Sequence, residues 1–373
     1  MSYLGEDIKK LGFGLMRLPK IGDEIDIEQG KKMVDLFMEA GFTYFDTAWV
    51  YEGSEEATKK ILVERYPRES YQLATKLSAW ANCKDRDEAI AQFETSLERT
   101  GAGYFDFYLL HNFGGPRSHF YDDFNLWDWA KEKKAEGKVK HIGFSTHSTP
   151  EELDKLLTDH PEMEFVQLQI NYVDWDDPLI QAGECYRVAE KHNVPVVIME
   201  PVKGGLLAKP PKAVEEVLAE GEPGSTPASW AVRYAADLDN VITVLSGMSS
   251  VEQMEDNLAT MKDFHGFNDE EKKVIEKAQE EFKKIPIIPC TSCDYCAKAC
   301  PVGVGISGSF TALNEYTQFG DLESAKDTED WQVSRRGRKQ ATECIKCGMC
   351  EEACPQKIEI VKELEKVVET LLK

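Results

Sequence analysis

The sequence predicts an α/β fold, a TIM (β/α)8 barrel, followed by a small domain that is mainly α-helical. Three observations support this prediction. Short apolar segments alternate with helical patterns through roughly the first 260 residues. The apolar segments are hydrophobic at nearly every position, which is typical of parallel strands buried on both faces. Eight of the ten cysteines lie in two tight groups near the C-terminal end, outside this alternation.

Each predicted strand is followed by a predicted helix. The first unit pairs a strand near 11–14 with a helix over 27–40, which Gly41 ends. Thr149 and Ser250 are N-cap residues with Glu or Gln three positions later, so helices are predicted to start after them. The further strands are 43–46, 71–76, 105–111, 141–145, 165–170, 194–200 and 241–246, and the further helices are 54–64, 85–99, 125–136, 150–157, 182–192, 227–236 and 251–261.

The number of these units decides between two architectures. Eight strand–helix units in about 260 residues fit a TIM barrel in count and in length. A doubly wound open sheet is the alternative, but no GxGxxG sequence stands between the first strand and the first helix. We therefore predict the barrel.

A change of composition after the last unit marks the domain boundary. Asn268 opens a highly charged helical segment that runs to about Lys284, and Pro286 and Pro289 end it. The 43 residues between the two cysteine groups contain helical patterns near 309–318 and 322–339, so the last domain is predicted to be mainly helical. We predict a barrel over residues 1–267, a linker helix over 268–288 and a cysteine-rich domain over 289–373.

The composition limits the partners of the protein. Asp and Glu number 67 against 44 Lys and Arg, which gives a net charge of −23. Such an acidic surface favours solubility and argues against nucleic acid or an anionic membrane as a partner. No apolar run approaches the roughly 20 residues that span a bilayer, and the polar N-terminal stretch lacks a signal-peptide pattern. We expect a cytoplasmic protein.

Polar residues stand at or just beyond the ends of three successive predicted strands. Catalytic groups of TIM barrels come from these ends. Taken singly, each residue is equally explained as a buried polar group that hydrogen-bonds its neighbours. Several polar residues at the equivalent ends of neighbouring strands favour a functional site. The set consists of Asp46, Tyr51, Lys76 and His111.

The chemistry of the four residue types predicts a proton-transfer site. A phenol has an ordinary pKa of about 10, so Tyr51 is a poor acid near neutrality without help. The neighbouring ammonium of Lys76 is expected to lower that pKa, and Asp46 to keep Lys76 charged and oriented. His111 would donate a hydrogen bond to a carbonyl oxygen while hydride reaches the carbonyl carbon. The set therefore predicts the reduction of a carbonyl compound.

From about Leu11 to Asn257 the chain resembles the aldo-keto reductases, whose tetrad of Asp, Tyr, Lys and His corresponds to the four residues above. The resemblance implies a TIM barrel that binds NADPH or NADH in an extended form and reduces a small-molecule carbonyl substrate. It also implies contacts from Ser145 and Gln167 to the nicotinamide carboxamide. The other implied cofactor contacts are Gly14 and Met16 in the opening loop, Pro201, Lys203, Gly204, Gly205 and Leu206 around the diphosphate, and Ser246, Gly247, Met248, Gln253 and Asn257 at the adenosine end.

Three positions depart from the family pattern. Thr146 stands where Asn usually follows the serine, and Met199 where an aromatic ring often lies under the nicotinamide. Gln253 aligns with the arginine that commonly binds the 2′-phosphate of NADPH, and Glu252 and Glu255 stand close by. Without a cation there, recognition of the extra phosphate is weakened. We therefore expect a slight preference for NADH, and a flavin is a further possibility, with its phosphate in the diphosphate loop.

Substrate contacts are weakly marked in the sequence. Four aromatic residues fall in or near loops at the predicted barrel mouth. An aromatic pocket explains them, and so does ordinary core packing. They are Trp49, Trp80, Phe113 and Trp127.

The two cysteine groups repeat one spacing, Cys-x2-Cys-x2-Cys-x3-Cys-Pro. This is the run of bacterial ferredoxins, in which each 4Fe-4S cluster is bound by three thiolates of one run and the fourth of the other. Zinc ribbons lack the third and fourth cysteines at these offsets, so zinc is the weaker alternative. Cys83 and Cys185 fit neither run and are expected to be ordinary thiols. By this pattern one cluster is bound by Cys290, Cys293, Cys296 and Cys354, and the other by Cys344, Cys347, Cys350 and Cys300.

Three functions are compatible with the sequence. In the first, the barrel exchanges hydride and the clusters exchange single electrons with a partner such as a ferredoxin. A flavin would normally connect the two, because nicotinamide transfers two electrons together. In the second, the clusters are structural and the barrel reduces carbonyl compounds alone. In the third, the protein is a redox sensor or electron carrier without carbonyl reduction, and the complete set of strand-end residues weighs against it.

Overall fold

The computed structural model describes residues 4–264 and 266–373. The chain forms two compact units, each with its own buried apolar core. The first unit takes the chain up to Gly205 together with Ala228–Glu270, and the second comprises Leu206–Pro227 and Glu271–Lys373.

Eight parallel strands close into a barrel in the first unit, which confirms the predicted TIM barrel. The strands are β1 Leu11–Gly14, β2 Tyr44–Asp46, β3 Gln72–Leu77, β4 Phe105–Phe113, β5 Val139–Thr146, β6 Phe165–Gln169, β7 Val196–Met199 and β8 Val241–Ser246. Consecutive strands are neighbours, and β8 pairs with β1 to close the ring. Nearly all strand side chains are buried, because one face of the sheet fills the barrel and the other lies under the helices.

Helices follow the strands in the predicted order. Thr149 Oγ1 accepts the amide of Glu152 and Ser250 Oγ accepts the amide of Gln253, both at 3.3 Å, which confirms the two predicted caps. The helices between and after the strands are Ile27–Glu39, Ser54–Thr58, Arg86–Thr100, His119–Asp123, Leu126–Ala135, Pro150–Asp159, Ala182–Lys191, Pro227–Ala236 and Val251–Met261.

Two elements of the barrel differ from their predicted form. The helix predicted over 54–64 widens into a π-helical turn over Lys59–Val63. The strand predicted over 194–200 ends at Met199, because Glu200 adopts a left-handed conformation with a φ of +55°. This early end lets the chain turn into the glycine-rich segment that follows β7.

The second unit is mainly helical, as predicted. Phe310 and Leu313 of one helix pack with Leu364 and Val367 of another in its core. The helix predicted over 322–339 is shorter than expected, since it changes to a π-helical turn at Asp330 and ends at Ser334. The helices wholly or mainly in this unit are Lys212–Gly221, Asp269–Lys283, Tyr295–Ala299, Ile306–Phe319, Leu322–Glu329, Met349–Ala353 and Ile360–Leu371.

The length and polarity of the helices determine whether any of them can cross a membrane. Across residues 4–264 and 266–373, every helix is too short or too polar to span a bilayer.

Candidate active site

The barrel brings the four predicted strand-end residues together. Asp46 is the last residue of β2, Lys76 lies near the end of β3 and His111 near the end of β4. Tyr51 lies in the loop after β2. Its ring centre is 5.0 Å from Lys76 Nζ and 5.8 Å from the centre of the His111 ring. Parallel neighbouring strands thus place all four side chains at one mouth of the barrel.

Lys76 is the centre of this group. Its ammonium donates to Asp46 Oδ1 at 2.5 Å and to the Thr47 carbonyl at 2.7 Å, and it lies over the Tyr51 ring. Lys76 is fully buried, and Asp46 is 3% exposed. Such burial costs on the order of several kcal/mol per ion, so the charges depend on each other. Asp46 Oδ2 has no hydrogen-bond partner within the described residues.

Burial and charge act in opposite directions on this pair. Burial lowers the pKa of Lys76, but Asp46 and Tyr51 beside it hold that pKa above its ordinary value. Burial raises the pKa of Asp46 and outweighs the lowering by Lys76. The raised pKa of Lys76 favours a charged pair, whereas the raised pKa of Asp46 favours a neutral one. We take the pair as charged at neutral pH, because the Asp46 carboxylate and the Thr47 carbonyl accept hydrogen bonds from the ammonium in place of its lost water.

Tyr51 keeps its proton at neutral pH. Burial raises the pKa of Tyr51, Lys76 lowers it, and the net value lies above the ordinary one. The lowering expected from the sequence is therefore wrong for the free protein, because burial outweighs the ammonium. Tyr51 is therefore protonated in the free protein, and the charge of Lys76 is placed to stabilise its anion.

His111 is neutral at physiological pH. Burial lowers the pKa of His111 well below its ordinary value, and the charges of Lys76, His147 and Arg117 lower it further. Ser78 Oγ lies 2.8 Å from His111 Nδ1. When Ser78 donates this hydrogen bond, Nε2 bears the ring proton and can donate it to a substrate oxygen.

The residues that hold His111 were not identified from the sequence. The Ser78 amide donates to Gln92 Oε1 at 2.8 Å, and Gln92 Nε2 donates to the Ser78 carbonyl at 3.1 Å. Both side chains are buried. Ser78 stands two residues after Lys76 and therefore on the same side of the strand, which is the signal that would have found it.

We expect His111 to make folding sensitive to acid. Because the pKa of His111 lies below its ordinary 6.5 in the folded protein, the unfolded chain binds a proton as the pH falls below 6.5 and the folded protein does not. The free energy of unfolding should fall by up to about 1.4 kcal/mol per pH unit through this residue. Anaerobic denaturant unfolding between about pH 5 and pH 8 measures this, and His111→Gln should lose less stability in acid. An identical pH dependence of the two proteins would contradict the assignment.

Ser145 and Gln167 lie opposite each other on β5 and β6, and both are buried. Ser145 Oγ accepts the amide of Asn112 at 2.8 Å. Gln167 Oε1 has no hydrogen-bond partner in the described part of the chain. Thr146, next in sequence, bonds instead to the Ser148 hydroxyl. A buried amide oxygen needs a donor, and a carboxamide NH2 supplies one, so this pair fits the amide of a nicotinamide.

The segment after β7 contains two adjacent glycines in left-handed conformations. Gly204 and Gly205 have φ angles of +67° and +108°, which residues with side chains rarely adopt. Lys203 is engaged within the protein, because its Nζ donates to Asp174 Oδ1 at 2.6 Å and Asp174 is buried. The lysine charge is thus neutralised before any ligand binds.

The other predicted cofactor contacts near the opening and the loops differ in exposure. Met16 is 61% exposed and Gly14 is half-buried. Pro201 is buried, and Met248 belongs to the barrel core. Leu206 begins the part of the chain that groups with the second unit. Met16 therefore offers the largest surface of these residues to a ligand.

Beyond β8, the predicted adenosine-end residues hold one another. Asn257 Nδ2 donates to Ser246 Oγ at 2.8 Å, and Gln253 Oε1 accepts the amide of Ser249 at 2.8 Å. The residue that aligns with the 2′-phosphate arginine therefore stabilises its own loop. Its neutral amide adds no charge to the site.

The four aromatic residues near the mouth divide into two groups. Phe113 and Trp127 are buried in the barrel core, so packing explains them. Trp80 is half-buried and donates to the His111 carbonyl at 2.9 Å. Trp49 Nε1 is buried and has no partner within residues 4–264 and 266–373. Trp49 and Trp80 are therefore the two of the four that are only partly buried.

In the second unit, the eight clustered cysteines line two concavities. Within the described residues, no three ligand-type side chains converge closely enough to hold a single metal ion. A four-iron cube holds its thiolates further apart than one ion does, so the concavities fit clusters. One concavity of about 330 Å³ is lined by Cys290, Cys293, Cys296 and Cys354, and one of about 310 Å³ by Cys300, Cys344, Cys347 and Cys350.

The two other cysteines are ordinary thiols in their surroundings. Burial raises the pKa of Cys185 to about 12, so it is uncharged at neutral pH. Burial also raises the pKa of Cys83, whose sulfur accepts a hydrogen bond from Gln92.

Comparison with known proteins finds the same two parts. Residues 10–280 match the model of the aldo/keto reductase family, and residues 289–359 match that of a 4Fe-4S dicluster domain. An aldo-keto reductase of Mycolicibacterium smegmatis is 28% identical over 239 residues, which are 64% of this chain and 79% of that protein.

Solved structures resemble the barrel. The holo form of an aldo-keto reductase from Bacillus halodurans is 25% identical, with a TM-score of 0.58 over 74% of this chain and 93% of that one. An aldo-keto reductase from Klebsiella pneumoniae in complex with NADPH is 20% identical, with a TM-score of 0.58 over 72% of this chain and 90% of that one. The second likeness is one of fold alone.

Proposed function

This chain belongs to the aldo-keto reductase family and carries a C-terminal 4Fe-4S dicluster domain, and we propose that its barrel reduces a small carbonyl compound with a nicotinamide dinucleotide. We propose further that the clusters exchange electrons with a redox protein such as a ferredoxin. The observation that carries the barrel reaction is the buried Lys76, which pairs with Asp46 and lies over the Tyr51 ring beside a neutral His111.

Each residue of this group has its own task in the proposed reaction. The bound nicotinamide supplies the hydride. Tyr51, protonated at neutral pH, donates its proton to the carbonyl oxygen. Lys76 stabilises the phenolate that remains, and Asp46 keeps Lys76 charged. His111 positions the carbonyl oxygen through its Nε2–H.

Ser145 and Gln167 are the proposed partners of the nicotinamide carboxamide. The unpartnered Gln167 Oε1 supports this, because a carboxamide donor would satisfy it. At the adenosine end, Gln253 supplies no charge, and Glu252 and Glu255 are nearby carboxylates. We therefore propose NADH as the slightly preferred cofactor. A flavin with its phosphate in the segment after β7 is the alternative that would connect two-electron and one-electron chemistry.

The two cysteine sets are the proposed ligands of the clusters. Bound clusters each exchange one electron. Cys293 and Cys347, the second cysteines of the two runs, are exposed. Each site thus reaches the surface of its unit, where a protein partner can approach.

The visible spectrum of anaerobically purified protein tests whether electrons pass between the barrel and the clusters. We expect the broad visible absorbance of 4Fe-4S clusters, and we expect NADH to bleach it faster than NADPH. A Cys347→Ser variant serves as the control with a damaged cluster site. Clusters that stay oxidised while a test aldehyde is reduced would make them structural. Bleaching without any aldehyde reduction would make the protein an electron carrier.

A further inference from the structure

Arg17 lies across two loops of the proposed cofactor site. It closes the short turn Leu15–Arg17 that follows β1. A Cβ placed on Gly247, in the loop after β8, would lie 3.7 Å from Arg17 Cβ and Cδ and 3.9 Å from Cγ. A Cβ placed on Gly204, in the segment after β7, would lie 3.5 Å from Arg17 Nη2. The arginine stem therefore rests on one glycine, and its guanidinium lies over the other.

The guanidinium is available to a ligand. In the part of the chain that the structure describes, Arg17 forms no ion pair or hydrogen bond, and its side chain is exposed. The neighbouring Lys203, by contrast, is already paired with Asp174.

The backbone beneath the guanidinium is open. A Cβ added to Gly205 would meet no atom within 4 Å, and its φ of +108° excludes most other residues. Bare backbone of this kind lets a phosphate group approach closely. An arginine above such a loop offers a planar pair of donors to the same phosphate oxygens.

We propose that Arg17 is the principal phosphate-binding cation of the site, and that it binds the diphosphate common to NADH and NADPH. The inference rests on the proposed function, because it takes the barrel to bind a nicotinamide dinucleotide. It also locates phosphate recognition at the diphosphate, because Gln253 at the adenosine end is neutral and accepts a hydrogen bond from the Ser249 amide. Arg17 then contributes equally to both dinucleotides and does not discriminate between them.

Binding titrations of the cluster-containing protein test this proposal. Quenching of tryptophan fluorescence by NADH and by NADPH gives each Kd without relying on turnover. We expect Arg17→Met to raise both Kd values by the same factor, roughly 10- to 100-fold, because a hydrogen-bonded charge is lost. Arg17→Lys should recover part of the affinity, because it keeps the charge without the planar fork.

Lys32 provides the matched control. It is an exposed cation whose charge acts on Glu252 at the start of the helix Val251–Met261. Lys32→Met should leave the Kd for NADH unchanged. An unchanged visible spectrum of each variant shows that the clusters and the fold are retained.

The outcomes separate this proposal from the proposed function. If the wild-type protein binds neither dinucleotide, the proposed function fails and this inference fails with it. If the wild type binds and Arg17→Met binds equally well, the inference alone is overturned. A loss confined to NADPH would also overturn it, because Arg17 would then bind the 2′-phosphate and not the diphosphate.

Discussion

Replacing Tyr51 with Phe should lower kcat/KM for carbonyl reduction by about 10²- to 10⁴-fold, the usual contribution of a positioned acid. Tyr51 is protonated at neutral pH and its ring centre lies 5.0 Å from Lys76 Nζ, so the substitution removes the proton donor and leaves the Lys76–Asp46 ion pair beside it. Dinucleotide affinity should change by less than about twofold, because the ring is kept. Steady-state kinetics with a test aldehyde and fluorescence titration with NADH measure the two quantities.

Tyr66→Phe is the matched control for this variant. The Tyr66 hydroxyl lies outside the tetrad and donates to Asp35 Oδ1 at 2.5 Å. The turnover of the Tyr66→Phe protein should equal that of the wild type. Near-normal turnover of Tyr51→Phe would remove Tyr51 from the reaction and return the barrel to a binding or structural role.

Replacing Lys76 with Met should abolish carbonyl reduction and lower the free energy of unfolding by about 3–5 kcal/mol. The change leaves Asp46 as a buried carboxylate that has lost the ammonium, and its Oδ2 already lacks a hydrogen-bond partner among the described residues. The phenolate of Tyr51 also loses the charge that would stabilise it. Anaerobic denaturant unfolding and aldehyde kinetics report the two effects.

A second variant distinguishes lost charge from lost packing. Asp46→Asn combined with Lys76→Met removes both charges, so stability should largely return while activity stays absent. Lys84→Met is the exposed control, because Lys84 pairs with Glu88 at 3.5 Å in water and should cost less than about 1 kcal/mol. A Lys76→Met protein as stable as this control would show that Asp46 is not charged in the fold.

The sequence predicts most of this architecture because the strongest signals are local or periodic. Buried parallel strands are apolar at nearly every position, so all eight of them can be counted along the chain. Asp46, Lys76 and His111 were identified because each stands at the end of such a strand. The cysteine sets followed from spacing, and the two concavities are lined by the same sets.

Other features depend on contacts between distant residues. The direction of the Tyr51 pKa was mispredicted, because a sequence shows the ammonium of Lys76 but not the burial that outweighs it. Arg17 was missed, because its stem and guanidinium meet loops more than 180 residues away. The sequence left open whether Phe113 lines a pocket at the barrel mouth or packs in the core. Only the contacts of the folded chain place it in the core.

The arrangement of the cysteines also sets an order of assembly. Each concavity is lined by three cysteines of one run and the fourth of the other. During synthesis the barrel leaves the ribosome before the cysteine runs, but Cys354 follows 64 residues after Cys290, so the first site lacks its fourth cysteine until the second run has emerged. Neither site is completed by its own run alone. The complete set of four cysteines at either site therefore exists only after both runs have been synthesised.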